Sequence, residues 1–299
     1  MIAMFFCQSI RNRGSGKFRE GFRPRKRWGQ HFLVDKRIAE RIIDLHHPRE
    51  GEVHLEIGAG RGELTKPLAR RAGLVVAVEI DPALIKNLES ELSGFPNVKL
   101  IHSDILQLKL DSLLPEGTTE GKMRVIGNLP FYLATAILQY LISWRTVISD
   151  MTLMFQKEVA ERLTASPHTK DYGYLTLLVN YYCDVVKGFD VPSGAFFPHP
   201  EVGATVMRLT LRSHPPTELS DEAFFFNLIR GVFLHRRKTI LNNLLMSHLT
   251  SLSKKEIEKR LTEIGLPVNR RPESLSMSEF ARLSNHLCHF SIKKGETRG

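Results

Sequence analysis

No stretch of this chain approaches the roughly 18 consecutive apolar residues that a membrane-crossing helix needs, because charge or glycine interrupts every hydrophobic run within a few residues. A soluble protein with no membrane partner is therefore expected. Cysteine is equally scarce: Cys7, Cys183 and Cys288 form no CxxC pair and leave an odd count. That argues against a disulfide framework and a cysteine-rich zinc site. It fits a reducing compartment, so a cytoplasmic location is expected. Acidic residues are missing from one place in particular. Between residues 11 and 28, "RNRGSGKFREGFRPRKRW", only Glu20 stands against Arg11, Arg13, Lys17, Arg19, Arg23, Arg25, Lys26 and Arg27. Such a segment suits a polyanion. A solvated, disordered tail, an artefact of where the chain is taken to start, and an organelle transit peptide share the same composition.

What is present is ordinary globular material. Of 299 residues, 42% are hydrophobic and 25% charged, with a net charge of +10, enough for one large domain and a smaller one. "DKRIAERIIDLH" (35 to 46) puts Ile38, Ile42, Ile43 and Leu45 on one face, with Asp35 as N-cap. Short apolar runs at 52 to 58, 74 to 80, 97 to 102, 123 to 127 and 151 to 156 then alternate with helical patterns at 62 to 72, 82 to 92 and 133 to 143. That alternation predicts an α/β fold, a doubly wound parallel sheet, with "GATVMRLTLR" (203 to 212) as a late closing strand. Beyond it only helical patterns occur. The expected division is a basic, disordered arm over 1 to 22, a Rossmann-like domain over 23 to 211, and a small helical domain over 212 to 299.

The chemistry gathers at strand ends. The first strand runs into "EIGAGRGEL", whose Gly58, Gly60 and Gly62 suit a close backbone approach to a ligand. Their GxGxG spacing favours a nucleoside without a diphosphate over a dinucleotide. The second strand ends at Glu79, placed to accept from ribose hydroxyls, and the third at Asp104, placed to accept from an adenine amino group. The fourth ends in "GNLPFY", which offers Asn128. Each acid alone could be a helix cap, and Asn-Leu-Pro could be a plain turn. Together they fall on one edge of the sheet, where open parallel sheets bind ligands. Phe196 in "FFPHP" could wall a pocket for an extruded base, or belong with Phe197 to the core. His286 and His289 stand three apart without a third ligand, so no metal is expected.

Nine ordered blocks carry a resemblance over about residues 25 to 287: "GQHFL", "EIGAGRGELT", "VEID", "GNLPF", "FQKEVAERL", "YGYL", "VPSGAFFPHPEV", "RRKTILNNL" and "RPESLSMSEF". The chain resembles the ribosomal RNA adenine dimethyltransferases of the KsgA type. The resemblance implies a class I S-adenosylmethionine-dependent methyltransferase fold. It also implies dimethylation of two adjacent adenosines near the 3′ end of small-subunit (16S) rRNA, during ribosome biogenesis, by a monomer acting on a 30S assembly intermediate. By the same resemblance His31, Leu33, Gly58, Gly60, Glu79, Asp104 and Asn128 would line the donor site. Asn128 and the Leu129 carbonyl would each accept one hydrogen of the target amine, Pro130 would stiffen the turn, and Phe131 would stack on the base. A sulfonium donor needs no metal. The chain departs from the family pattern at Phe131, Glu201 and Gly203. Three rivals remain open: a large-subunit (23S) methyltransferase of the macrolide-resistance type, a non-catalytic RNA-binding assembly or transcription factor on the same fold, and a small-molecule methyltransferase.

Overall fold

The computed structural model describes residues 30–115 and 121–291. The basic arm, Cys7 and Gly29 lie outside them. The chain enters as β1 (Phe32–Leu33) and α1 (Lys36–His46). Asp35 caps α1 by accepting from the Arg37 N–H, and Ala39, Ile42, Ile43 and His46 are its buried residues. Strands and helices then alternate through β2 (Val53–Ile57), α2 (Thr65–Ala69), β3 (Leu74–Glu79), α3 (Pro82–Glu91), β4 (Val98–His102), β5 (Met123–Asn128), α4 (Ala134–Ser143) and β6 (Ile148–Gln156). The helical pattern expected from residue 62 shrinks to the five residues of α2. Gly62 sits at φ +78°, a left-handed conformation that no right-handed helix contains.

After α5 (Lys157–Leu163) and α6 (Tyr174–Tyr182) come β7 (Cys183–Val191), β8 (Phe196–Phe197) and β9 (Ala204–Leu211). Seven strands form one sheet in the order β4-β3-β2-β5-β6-β9-β7. The first five are parallel, β9 is antiparallel to β6, and β7 is antiparallel to β9. Val75, Val76, Ala77 and Val78 of β3 are all buried, as expected of a strand covered by helices on both faces. The chain adds β3 and β4 on one side of β2 and β5 and β6 on the other. The strand order therefore reverses between β2 and β5, which opens a crevice at their carboxyl ends.

Strand β7, which the sequence pattern did not predict, forms the outer edge beyond β9. Its "CDVVKGFDV" alternates weakly and carries Asp184, Lys187 and Asp190 on a largely exposed strand. Charge protects a sheet edge in this way. The pairing also slips between Lys187 and Phe189, at a glycine where a Cβ would lie 2.5 Å from Leu45 and 3.0 Å from the Val206 carbonyl.

At the amino ends of the strands, Arg124 of β5 is buried and bonds Asp150 at 2.7 Å, Glu52 at 2.9 Å and the carbonyls of His46 and His47. This network ties the end of α1 to β5 and β6. Finally α7 (Glu222–Val232), α8 (Ile240–Ser247), α9 (Lys254–Glu263) and α10 (Met277–Leu287) pack around Phe225, Leu228 and Phe280. Tyr172, Leu177 and Tyr181, from α6 and the segment before it, join that same core, so sheet layer and helical layer are continuous.

Candidate active site

The carboxyl ends of β2, β3 and β5 and the turn after β4 line an open cavity. Gly58 and Gly60 carry the chain out of β2 with φ of +73° and +59°, a backbone that side chains disfavour. The Gly60 N–H donates to Glu79 Oε2 at 2.8 Å, while Glu79 Oε1 accepts from the N–H groups of Ile80 and Asp81 at 2.9 Å each. Glu79 thus anchors the glycine turn and lines the cavity at the same time. Burial pushes its carboxyl upward against the pull of the three N–H groups, and burial wins. A carboxylate has about four acceptor positions, so one remains for a ligand hydroxyl.

Asp104 also lines the cavity, with Oδ1 accepting from the Leu106 N–H at 3.0 Å. At the end of β5, a Cβ on Gly127 would lie 2.8 Å from the Ile57 carbonyl, so only glycine lets the two strands run this close. Asn128 Nδ2 donates to the His31 carbonyl at 2.9 Å. That bond commits the amide's donor end and leaves its oxygen as an acceptor. His31 Nδ1 donates to the Pro198 carbonyl at 2.8 Å, and its ring stacks on Phe131 with centroids 5.6 Å apart and planes 27° from parallel. Leu129 and Pro130 line the cavity, and the Pro130 carbonyl accepts from the Leu133 N–H at 3.0 Å to close the turn.

Two predicted residues sit elsewhere. Leu33 and Phe196 are 3% and 0% exposed, packed in the core between α1 and the sheet. They are partners in the short β1–β8 ladder, whose other pair is Phe32 with Phe197. Opposite residues in a ladder share a face and successive residues alternate. Phe32 lines the cavity, its partner Phe197 is 39% exposed and outside the cavity's lining, and Phe196 faces the core. Leu33 does not line the cavity, whereas Gln30, His31 and Phe32 of the same segment do. Sequence reasoning also missed Gln30, Ile80, Ile105 and Tyr132, all of which line the cavity. A readable signal existed for two of them: Ile80 and Ile105 each directly follow a predicted acceptor.

Behind the glycine turn, Glu56 of β2 is fully buried, and its Oε2 has no hydrogen-bond partner among the described residues. Burial pushes its carboxyl up to about 8. The folded protein therefore holds a proton that the unfolded chain loses near 4.5, and stability falls as pH rises from 4.5 toward 8. Glu56→Gln removes that penalty but buries an amide, so we expect a net stabilisation of roughly 1–3 kcal/mol at pH 8 and almost none at pH 5. Thermal denaturation of both proteins at the two pH values checks this. Equal differences at both would show that Glu56 is ionised in the fold. Among the described residues no group of three or more His, Cys, Asp or Glu is placed to hold a metal, and His286 pairs instead with Glu263 at 2.8 Å.

The chain is 46% identical over 271 residues to the ribosomal RNA small subunit methyltransferase A of Geobacillus thermodenitrificans, covering 90% of this chain and 92% of that one. In structure it is similar to a dimethyladenosine transferase from Plasmodium falciparum, with TM-score 0.71 and 26% identity over 85% of this chain and 96% of that one. It is also similar to a 23S rRNA methyltransferase, ErmE, with TM-score 0.65 and 26% identity over 86% and 99%. The sheet is accordingly the Rossmann-like fold of these methyltransferases. The family model for ribosomal RNA adenine dimethylases matches residues 21–287, from ahead of the entry segment to the end of α10 and across every wall of the cavity, and this chain belongs to that family.

Proposed function

We propose that this protein transfers methyl groups from S-adenosylmethionine to the 6-amino groups of two adjacent adenosines in the 3′-terminal hairpin loop of small-subunit rRNA. The observation that carries the reading is Asn128, whose amide is held by the His31 carbonyl so that its oxygen serves as a fixed acceptor at the cavity. The cavity suits the donor's nucleoside: Glu79 keeps an acceptor position for ribose, Asp104 accepts from the adenine amino group, and Ile80 and Ile105 give apolar walls. When bound, the donor supplies a methyl group made electrophilic by a positively charged sulfur.

An adenine amino group is a poor nucleophile because its lone pair is conjugated with the ring. The Asn128 oxygen and the Leu129 carbonyl each accept one of its hydrogens, which favours a tetrahedral nitrogen and aims the lone pair. Phe131, backed by His31, stacks on the base. No group has to remove the proton beforehand, since it can leave after transfer. The protein acts as a cytoplasmic monomer on a 30S assembly intermediate, with the 212–299 region helping to hold RNA.

Similarity along 90% of the chain to a small-subunit methyltransferase supports the small subunit over the large. The intact acceptor set supports an enzyme over a binding factor. The test is transfer from labelled donor to undermethylated ribosomes: label is expected in the small subunit, and label confined to the large subunit would overturn the assignment.

Residues 1–22 contribute Arg11, Arg13, Lys17 and Arg19. If all four touch phosphates, deleting the segment flattens the log-log salt dependence of RNA binding by about 3 to 3.5 units, at roughly 0.7 to 0.9 per phosphate. Turnover at saturating RNA is expected to hold, because the cavity is untouched. An unchanged slope in filter-binding titrations would remove the arm from the interface.

A further inference from the structure

Tyr132 directly follows the Asn128–Phe131 turn and lines the cavity, yet it is 57% exposed. The neighbouring rings are covered: Phe32 is 7% exposed, and Phe131 stacks on His31. The residue after it, Leu133, already packs against the core beneath α4. Tyr132 is therefore a large ring held in solvent at the cavity mouth, and Phe197 is a second exposed aromatic, on the β1–β8 side. Rings left open beside a nucleic-acid site act as stacking platforms. A base that enters a pocket is extruded alone, so the nucleotide bonded to it stays outside. Resting on the reading of the site given above, the substrate's next adenosine must wait at that mouth while the first reacts.

We propose that Tyr132 is the stacking platform for the nucleotide adjacent to the one in the cavity, holding the second adenosine at the entrance. The flat ring supplies the contact, and its hydroxyl stays in water. Interactions of this kind bind the ground state and transition state alike, so their loss raises KM more than it lowers kcat.

The test compares the wild type with Tyr132→Ala, Tyr132→Leu and Tyr132→Phe on undermethylated small subunits. Steady-state kinetics, calorimetry with S-adenosylmethionine and mapping of modified positions are the readouts. For Tyr132→Ala and Tyr132→Leu we expect KM for the subunit to rise about tenfold, the scale of one lost base stack, with a much smaller change in kcat. Donor affinity should stay the same, and RNA modified at only one of the two adenosines should accumulate. Tyr132→Phe should restore both KM and the doubly modified product. Unchanged KM and product pattern in Tyr132→Ala would overturn the proposal, as would weakened donor binding, which would make Tyr132 part of the donor wall. Failure of Tyr132→Phe to rescue would overturn it too. A wild-type enzyme that transfers nothing to small subunits would instead sink the proposed function, and that is seen before any variant is assayed.

Discussion

Asn128→Ala is expected to lower turnover by about 10²-fold or more, the scale of one lost preorganised contact to a transition state. The change removes the fixed oxygen proposed to accept an amine hydrogen. It also frees the His31 carbonyl, to which the amide donates at 2.9 Å. Asn128→Asp separates the two effects. Its carboxylate can still accept from the amine but cannot donate to His31, and the two oxygens would repel. If the anchor matters as much as the acceptor, Asp falls as far as Ala. Donor affinity should change less than turnover in both variants, because Glu79 and the glycine turn remain. Single-turnover kinetics alongside calorimetry distinguish these outcomes, and near-normal turnover in Asn128→Ala would remove Asn128 from its assigned role.

Glu79→Ala should act on binding and folding together. Its carboxylate accepts three backbone N–H groups, from Gly60, Ile80 and Asp81, at 2.8 to 2.9 Å. Charge-assisted bonds of this type are worth roughly 1.5–3 kcal/mol, so losing the ribose contact alone should weaken donor binding about 10- to 150-fold. The orphaned N–H groups also loosen the turn, so the thermal midpoint should fall in the absence of donor. Glu79→Gln is a sharper probe. An amide nitrogen placed at either oxygen position meets a backbone N–H donor, so Gln should rescue only part of the loss. Donor affinity unchanged by calorimetry in both variants would reduce Glu79 to an internal brace.

Much of this arrangement was readable in one dimension because parallel strands write their burial as apolar runs and end at acceptors. Gly58, Glu79, Asp104 and Asn128 each terminate such a run, and the structure brings them around one cavity. Parity at β1 and β8 was not readable. A two-residue strand has no pattern to show which residue faces inward, and a shift by one exchanges Phe32 for Leu33 and Phe197 for Phe196. The link from Asn128 to His31 was hidden for another reason. It joins a side chain to a backbone carbonyl 97 residues away, and a carbonyl carries no sequence signal. Strand β7 escaped because an exposed edge does not need the apolar run that marks a central strand.

The central claim is that the acceptors at the end of β5 direct methyl transfer to an adenine amine. The most direct measurement is to incubate the protein with undermethylated small subunits and labelled S-adenosylmethionine, digest the RNA to nucleosides and identify the labelled product. The account predicts N6,N6-dimethyladenosine at two adjacent positions in the 3′-terminal hairpin loop, formed by the wild type and lost with Asn128→Ala. Label in a ribose or in a base other than adenine, or equal dimethyladenosine from Asn128→Ala, would contradict it.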